Sequence, residues 1–309
     1  MVDAGVGGTT IAAGGSAQPP QGGTTAIVPD GGGDVTGKDA AGGTGGGLDG
    51  RTDGGTGGRT DGGTGSPSCP NSGGPSMVSL PAGFCIDSTE VTRSQYEAWL
   101  RSNPPTTGQM ADCSSNTTFA PDAKCMGSAT APNYVCLEDC GNHPQVCIDW
   151  CDAYAYCKAV GKRLCGKIGG GASSPDDITN PNLSQWNCAC TSQGASAYPY
   201  GATYNTKACN GIDLWPSGPP PYQYETVPVG SMATCQSSVA GYAGVFDLSG
   251  SVEEFEDSCS TEGEPSARRC NIRGGSFAAS VSHLRCASNV TVPRYSFAND
   301  IGFRCCSAP

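Results

Sequence analysis

The sequence predicts an α+β domain that is poor in regular secondary structure, rich in disulfides and preceded by a disordered glycine-rich stalk. The first 68 residues contain no cysteine and no aromatic residue, whereas all 19 cysteines lie between Cys69 and Cys306. Helical and strand periodicity both occur from Met77 onward, but only in short runs. We therefore expect a stalk at 1–68 and one folded domain at 69–309, a length that a single core can serve.

The predicted stalk is rich in Gly, Thr, Ala and Asp, and it contains the octad Gly-Arg-Thr-Asp-Gly-Gly-Thr-Gly twice in succession, at 50–57 and 58–65. Such a tract cannot bury enough apolar surface to fold. It should behave as a flexible coil with a root-mean-square reach on the order of 40 to 50 Å. A tether accounts for this composition better than a phosphate-binding loop, because no strand precedes the tract and no helix follows it.

The first structural elements of the domain are predicted between residues 84 and 100. Residues 84–89 alternate in the manner of a strand. Thr92, followed three residues later by Gln95, predicts a capping box at the start of a helix, and Tyr96 begins the buried face of that helix.

A second helix is predicted from an N-cap at Asp149 to a stop at Gly161. Between the two helices, residues 101–146 contain four cysteines and no sustained periodicity, which predicts an insertion stapled by its own disulfides. The remainder, 162–309, is predicted to consist of short strands and long loops, because Gly and Pro interrupt it repeatedly.

The density of cysteine in the domain is too high for a reducing cytosol. A zinc framework is excluded because the chain has only two histidines, His143 and His283, and no paired Cys-x-x-Cys motifs at zinc-ribbon spacing. We therefore expect disulfides and an extracytoplasmic protein, either secreted or a cell-envelope lipoprotein. Because 19 is an odd number, at least one thiol is left over, and Cys69 is the first candidate.

The formal net charge of −11 and the pI near 4.5 argue against nucleic acid as a partner, because phosphates require clustered Lys and Arg. No segment approaches the roughly 18 apolar residues that a membrane span needs. Residues 1–25 contain neither the basic nor the apolar region of a signal sequence. We therefore expect a leader or a lipid anchor upstream of Met1.

Eight short segments form an ordered set that spans most of the domain. In chain order they are FCIDSTEVTRSQYEAWL (84–100), VCIDWCDAYAYCKAVGKRLC (146–165), QWNCAC (185–190), YPYG (198–201), PVGS (228–231), GVFDLSGSVEEF (244–255), IRGGSF (272–277) and IGFRC (301–305). This series resembles the formylglycine-generating enzyme, or sulfatase-modifying factor, family. The resemblance implies a fold with the topology of C-type lectins, built around a twisted antiparallel sheet with two helices.

The resemblance also implies two disulfides. The cysteine of the Tyr-Cys helix pairs in the family with that of Gly-Phe-Arg-Cys, which here implies Cys157–Cys305. A second family pair implies Cys190–Cys286, although Cys188 and Cys306 lie close enough in sequence to leave the exact partners open.

A calcium site is likewise implied by the resemblance. In the family's pattern, the Asp247 and Glu254 carboxylates and the Gly250 and Val252 carbonyl oxygens would surround one ion, and calcium takes such mixed oxygen ligands. The alternative is that this stretch is simply an acidic, solvated loop.

A second calcium site of the family would use Asn210 and the carbonyl oxygen of Gly211. Its downstream ligands fall in the altered stretch 216–225, so we do not expect this site to be complete.

The catalytic chemistry of the family depends on a copper ion held by two cysteine thiolates, and soft thiolates suit Cu(I). In this chain the corresponding segment contains no cysteine before Cys286, so copper is not expected. Ser280, Ser282 and His283 stand in that segment instead and are the candidates for another reaction, although no acid is evident to orient the histidine. The related iron-dependent oxygenases need three histidine ligands, which two histidines cannot supply.

These observations favour a non-catalytic domain, stabilised by disulfides and calcium, that binds a peptide, glycan or protein ligand in the cleft of the former active site. One alternative is an oxidoreductase that converts a substrate cysteine to formylglycine in sulfatases. The other is a structural surface protein. A free pair of copper-binding thiols would favour the oxidoreductase, whereas complete oxidation of the domain cysteines would favour the binding domain.

Overall fold

Short helices and strands joined by long loops make up the described part of the chain. The computed structural model describes residues 68–126, 136, 139–215 and 225–309, so the predicted stalk lies outside the described residues except for Ser68. The helices are α1 Arg93–Leu100, α2 Ala123–Met126, α3 Trp150–Ala159 and α4 Gln185–Thr191. The strands are β1 Met77–Leu80, β2 Phe84–Asp87, β3 Arg163–Leu164, β4 Glu253–Cys259, β5 Arg269–Arg273, β6 Val290–Pro293, β7 Ile301–Phe303 and β8 Cys305–Ser307.

In the described residues the strands form two four-stranded sheets. The first has the order β1-β2-β8-β3, and all of its neighbouring strands are antiparallel. The second has the order β6-β5-β4-β7, in which only the β4–β7 pair is parallel. Arg304 alone separates β7 from β8, so the end of the chain passes from one sheet to the other at this residue.

The strand predicted at 84–89 is present as β2. Its four residues are all buried, because Phe84 and Ile86 pack in one apolar cluster while Cys85 is bonded to Cys69 and Asp87 is paired with Lys162. The alternating sequence therefore places residues on two buried faces instead of dividing a buried face from a solvated one.

Both predicted helices are confirmed, with the caps that the sequence predicted. At α1, the Thr92 hydroxyl accepts a hydrogen bond from the Gln95 backbone N–H, and the Gln95 side chain accepts one from the Thr92 N–H. At α3, Asp149 and Asp152 make the equivalent reciprocal pair. Tyr96 on α1 packs against Tyr156 on α3, with 5.5 Å between ring centroids, so the two helices share one aromatic core.

Helix α4 was not predicted, and the expectation of strands and loops alone after residue 161 is wrong at this point. Its seven residues are all buried, so the sequence shows no polar face that would produce a helical period. The Ser184 hydroxyl caps it by accepting a hydrogen bond from the Asn187 N–H at 3.0 Å.

The insertion at 101–146 is cross-linked mainly to residues outside itself. Cys113 pairs with Cys151 on α3, and Cys125 pairs with Cys147, whereas only Cys136–Cys140 is internal. The prediction of an insertion stapled by its own disulfides is therefore correct for one bond only. The other two bonds fasten the insertion to the start of α3.

All 19 cysteines lie within the described residues, and nine disulfides join 18 of them. The bonds include Cys157–Cys305 and Cys190–Cys286, the two pairs that the resemblance implied. So many disulfides fit an oxidising, extracytoplasmic compartment. Within the described ranges, no helix has both the length and the apolar character to cross a membrane.

The prediction that Cys69 carries the unpaired thiol is wrong. Cys69 is bonded to Cys85, because the chain before β1 runs beside β2 and brings the two Cα atoms to 5.7 Å. The unpaired cysteine is Cys188, which is buried in α4.

Candidate ligand-binding site

The segment 276–286, which replaces the thiol-bearing segment of the resembled family, lies across neighbouring loops and is fastened to them at both ends. Near its start, the Phe277 N–H donates to the Ser251 carbonyl oxygen at 3.0 Å. At its end, the Cys286 N–H donates to the Ala197 carbonyl oxygen, also at 3.0 Å. The segment is therefore held against the loop that carries the Tyr-Pro-Tyr-Gly motif.

Beside this segment, the half-buried Tyr200 and Tyr204 and the exposed Arg285 surround the buried Tyr198 ring, and this cluster is called the tyrosine surface below. Tyr198 and Tyr200 stack with 5.4 Å between centroids and an interplanar angle of 11°, and Tyr204 lies 5.6 Å from Tyr198. The guanidinium carbon of Arg285 lies 5.8 Å from the Tyr198 ring centroid. The Tyr198 hydroxyl donates to the Val281 carbonyl oxygen at 3.5 Å, which ties the surface to the segment.

An open groove with a volume of ≈ 630 Å³ adjoins the tyrosine surface and is lined by residues 200–206. Tyr204 is fixed at its edge, because its hydroxyl donates to the Asp213 carboxylate at 2.9 Å. Burial, followed by this carboxylate, raises the pKa of Tyr204 above its ordinary value. The phenol therefore stays protonated and serves as a hydrogen-bonding group, not as a base.

Ser280, Ser282 and His283 are brought together, but they lack the geometry of a catalytic triad. All three are exposed. The Ser280 and Ser282 hydroxyl oxygens are 3.3 Å apart, and the Ser282 oxygen lies 3.4 Å from His283 Nδ1. That distance is longer than a nucleophile–base hydrogen bond, and no described carboxylate bonds to the imidazole.

The unpaired thiol of Cys188 is in the wrong place for copper chemistry. It is fully buried, and its sulfur lies 4.0 Å from the Tyr242 hydroxyl oxygen. Burial raises the pKa of this thiol, so it remains protonated under conditions in which a metal-binding thiol would ionise. A two-thiolate copper site needs a second free cysteine, and the other 18 cysteines are all in disulfides.

The acidic stretch after Asp247 contains a buried ion pair between Glu254 and Arg304. The guanidinium donates from Nε to Glu254 Oε2 and from Nη2 to Oε1, at 2.7 Å each. The Trp186 indole N–H donates to Oε2 at 2.8 Å. These bonds use three of the four acceptor positions of the carboxylate, which leaves one on Oε1.

Asp247 is held in a left-handed backbone conformation at the start of the same stretch, with φ of 62°. Its Oδ2 accepts a hydrogen bond from the Gly230 N–H at 2.6 Å. Burial raises the pKa of Asp247 to about 6. Gly250 has φ of 78°, and a side chain there would collide with the Asn210 backbone, so only glycine fits.

Glu90 completes a buried group of three acids around Arg304. Both of its carboxylate oxygens are buried without a hydrogen-bond partner among the described residues, and Arg304 Nη2 lies 3.9 Å away. Burial, and next the charge of Asp247, raise the pKa of Glu90 well above its usual range. In ionised form, three carboxylates against one guanidinium leave two excess negative charges, which one divalent cation would balance.

The residues expected to bind calcium are compatible with the ion. Asp247 and Glu254 both keep free acceptor positions, and buried negative charge surrounds them. In the described part of the chain no three Asp, Glu, His or Cys side chains could hold a metal by themselves, so backbone carbonyls such as those of Gly250 and Val252 would have to supply the other ligands. This calcium site stays a prediction.

The second calcium site, which we did not expect to be complete, would use the side chain of Asn210. That side chain is engaged in other hydrogen bonds. The Asn210 amide nitrogen donates to the Glu225 carbonyl oxygen at 2.9 Å, and its Oδ1 accepts from the Trp215 indole N–H at 3.0 Å. At Gly211, a side chain would collide with Leu284, so this glycine allows close packing against segment 276–286.

Sequence reasoning missed Glu90 and Arg304 as partners in the acidic group. Both lie in recognised motifs, Glu90 in Glu-Val-Thr and Arg304 in Gly-Phe-Arg-Cys, but nothing in the spacing shows that they meet. A usable signal was the arginine within the otherwise apolar motif Ile-Gly-Phe-Arg-Cys, because an acid that is buried in a core needs a positive partner.

Comparisons with known proteins identify the family. The family model of the sulfatase-modifying factor enzyme 1-like domain matches residues 52–309. A search of curated proteins gives no match.

A search of solved structures finds similar chains at low sequence identity. CarF is 20% identical, with 73% of this chain and 86% of CarF covered and a TM-score of 0.48. PvdO from Pseudomonas aeruginosa is 21% identical, with coverage of 73% and 80% and a TM-score of 0.46. Treponema denticola variable protein 1 is 18% identical, with coverage of 73% and 84% and a TM-score of 0.41.

The family model covers most of the chain, and the observed architecture agrees with the predicted class, a disulfide-rich α+β fold with few helices and strands. The chain therefore belongs to the sulfatase-modifying factor enzyme 1-like family.

Proposed function

We propose that this protein is a non-catalytic member of its family that binds a peptide, glycan or protein ligand outside the cytoplasm. The observation that carries the proposal is the state of the cysteines. Eighteen are in disulfides and the remaining one, Cys188, is buried. Two thiolates are needed to hold Cu(I) for oxidation of a substrate cysteine, and this chain does not supply them.

The tyrosine surface is the proposed ligand-binding site. Tyrosine combines a broad apolar face with a hydroxyl group at low conformational cost, which is why it is enriched in recognition surfaces. The half-buried ring of Tyr200 offers such a face, the buried Tyr198 ring supports it from behind, and the exposed Arg285 adds a positive charge nearby. The exposed hydroxyls of Ser280 and Ser282 add hydrogen-bonding groups without a base to activate them.

Calcium has a structural role in this proposal. Bound through Asp247 and Glu254, it would neutralise the buried acids next to the crossing point of the two sheets. The extracytoplasmic location is supported by the disulfides. Attachment to the cell envelope through an upstream lipid anchor is also part of the proposal.

A thiol count tests the absence of copper chemistry. The native, full-length protein is alkylated and analysed by mass spectrometry before and after unfolding, and the same sample is equilibrated with Cu(I). We expect no modified thiol in the native state, one after unfolding, and no copper retained. The Cys188→Ala variant should show none in either state. Two reactive thiols that retain copper, with oxidation of a cysteine-containing peptide, would overturn the proposal and favour the oxidoreductase.

A binding test addresses the tyrosine surface directly. Arrays of glycans and peptides are probed with the full chain and with Tyr200→Ala. The matched control is Tyr295→Ala, which removes an exposed tyrosine outside the tyrosine surface. Ligands captured by the wild type and the control but lost by Tyr200→Ala support the proposal. Equal capture by all three proteins would contradict it.

A further inference from the structure

We propose a second binding site, separate from the tyrosine surface, in which the insertion forms a pocket for a small aromatic carboxylate. The pocket has a volume of ≈ 300 Å³ and lies between α1, α3 and the first part of the insertion. Its walls include Trp99, Pro105, Met110, Phe119, Tyr154 and Lys158. A volume of this size lies at the lower end of the range for small-molecule sites.

Aromatic rings form one wall of the pocket. The Trp99 ring lies 5.1 Å from the Phe119 ring, and it meets the Tyr156 ring edge-on at 5.5 Å. These contacts fix the indole in one orientation while it remains part of the pocket wall. A planar apolar group that enters the pocket would therefore meet a rigid aromatic surface, which favours an aromatic ligand over a flexible aliphatic one.

The insertion residues that form the loop wall of the pocket are held in place by a disulfide and by hydrogen bonds, so the pocket exists without a ligand. The Cys113–Cys151 bond joins this wall to α3. The Gln109 amide donates to the Thr106 and Asn116 carbonyl oxygens at 2.9 and 2.7 Å, which closes the loop on itself. These ties fix the position of the loop wall relative to α3.

Two further hydrogen bonds tie this wall to the helices. The Asn116 side chain donates to Asp152 on α3 at 2.7 Å. The Tyr96 hydroxyl on α1 donates to the Phe119 carbonyl oxygen at 2.8 Å. Because these contacts preorganise the pocket, a ligand would bind without first ordering the loop.

The positive charge of Lys158 at the pocket indicates a negatively charged ligand. Lys158 is the only formally charged residue that lines the described pocket, it is exposed on the last turn of α3, and no described acid forms an ion pair with it. An ammonium group beside an apolar pocket selects a ligand that places its apolar part inside and its negative group at the mouth. The aromatic wall and this single charge together specify an aromatic carboxylate.

The experiment uses isothermal calorimetry on the oxidised, full-length protein with 3-phenylpropionate and with its neutral analogue 3-phenylpropanamide. The amide has the same ring and chain but no charge. We expect the carboxylate to bind about two- to fivefold more tightly than the amide, the range of an exposed charge pair. In Lys158→Gln, the two compounds should bind equally, whereas Lys167→Gln, which removes an exposed lysine elsewhere, should retain the difference.

A second variant tests the location of the site. Ala155 lines the pocket on α3, and Ala155→Phe would fill it. This variant should lose binding of both compounds while it keeps the wild-type circular dichroism spectrum. If this variant does not fold, the affinities of Lys158→Gln and Lys167→Gln for the acid and the amide are sufficient to test the proposal. Absence of saturable binding to the wild type, or equal affinity of the wild type for the acid and the amide, would overturn the proposal.

Discussion

Two neighbouring disulfides, Cys157–Cys305 and Cys165–Cys306, connect the same two parts of the chain, and this predicts that their effects on stability are not additive. Each bond spans more than 140 residues in sequence, with separations of 148 and 141. If each acted alone, chain entropy would assign it about 5 kcal/mol. However, while either bond remains, it already holds β8 against the region of α3 and β3.

The loss of unfolding free energy on removal of one bond therefore depends on the much smaller ring that this bond closes while the other bond is intact. That ring contains roughly nine residues, eight between 157 and 165 and one between 305 and 306, and its closure is worth about 2.5 kcal/mol. When both bonds are removed, the shortest covalent path between the α3–β3 region and β8 runs through the Cys190–Cys286 disulfide. It spans about 45 residues, 25 from 165 to 190 and 20 from 286 to 306, and closing this larger ring adds about 4 kcal/mol.

The assay is urea unfolding of three variants in which alanine replaces the cysteines of the first bond, the second bond or both. Each single-bond variant should lose about 2.5 kcal/mol, and the variant that lacks both should lose about 6.5 kcal/mol, roughly 1.5 more than the sum. The control is Cys259→Ala with Cys270→Ala, which opens a loop with a separation of 11 and should cost about 2.7 kcal/mol. A loss near 5 kcal/mol on removal of either bond alone would refute the reasoning.

Three further predictions concern buried charges. Calcium at 100 times its dissociation constant should stabilise the fold by about 2.7 kcal/mol and raise the thermal midpoint by about 5 to 10 °C, and Asp247→Ala should abolish this shift in a calorimetric scan. Lys162→Met should lower the free energy of unfolding by about 3 to 5 kcal/mol, because it removes the ammonium group 2.5 Å from the buried Asp87 carboxylate and leaves that carboxylate without its positive partner. The double variant with Asp87→Asn should recover most of this loss in urea unfolding. Burial, and next the charge of Asp149, raise the pKa of Asp152 to about 8, so the folded state keeps a proton that the unfolded state releases near pH 4. Stability should therefore fall between about pH 4 and pH 8, and Asp152→Asn should flatten this part of a pH series of unfolding curves, whereas an unchanged slope would contradict the assignment.

The features that could be predicted from the sequence are those set by residues close together along the chain. The caps at Thr92 and Asp149 depend on a partner three residues away, so both helix starts were predicted correctly. The strand β2 was also predicted, but its burial on both faces was not, because that depends on contacts with Trp186 and Lys162 much later in the chain. Helix α4 was missed because complete burial removes the pattern that marks a helix.

The sequence by itself also determined the family, the disulfide-rich class and the absence of cysteine from the segment before Cys286, since each depends on the order and kind of residues. Only the tertiary structure decided which thiol is left over and which charges meet. Cys69 is paired because the chain before β1 runs beside β2. Glu90 and Arg304 are separated by more than 200 residues, and they meet because the chain crosses between the sheets at Arg304. Contacts at such distances follow from the path of the whole chain, which local residue spacing does not specify.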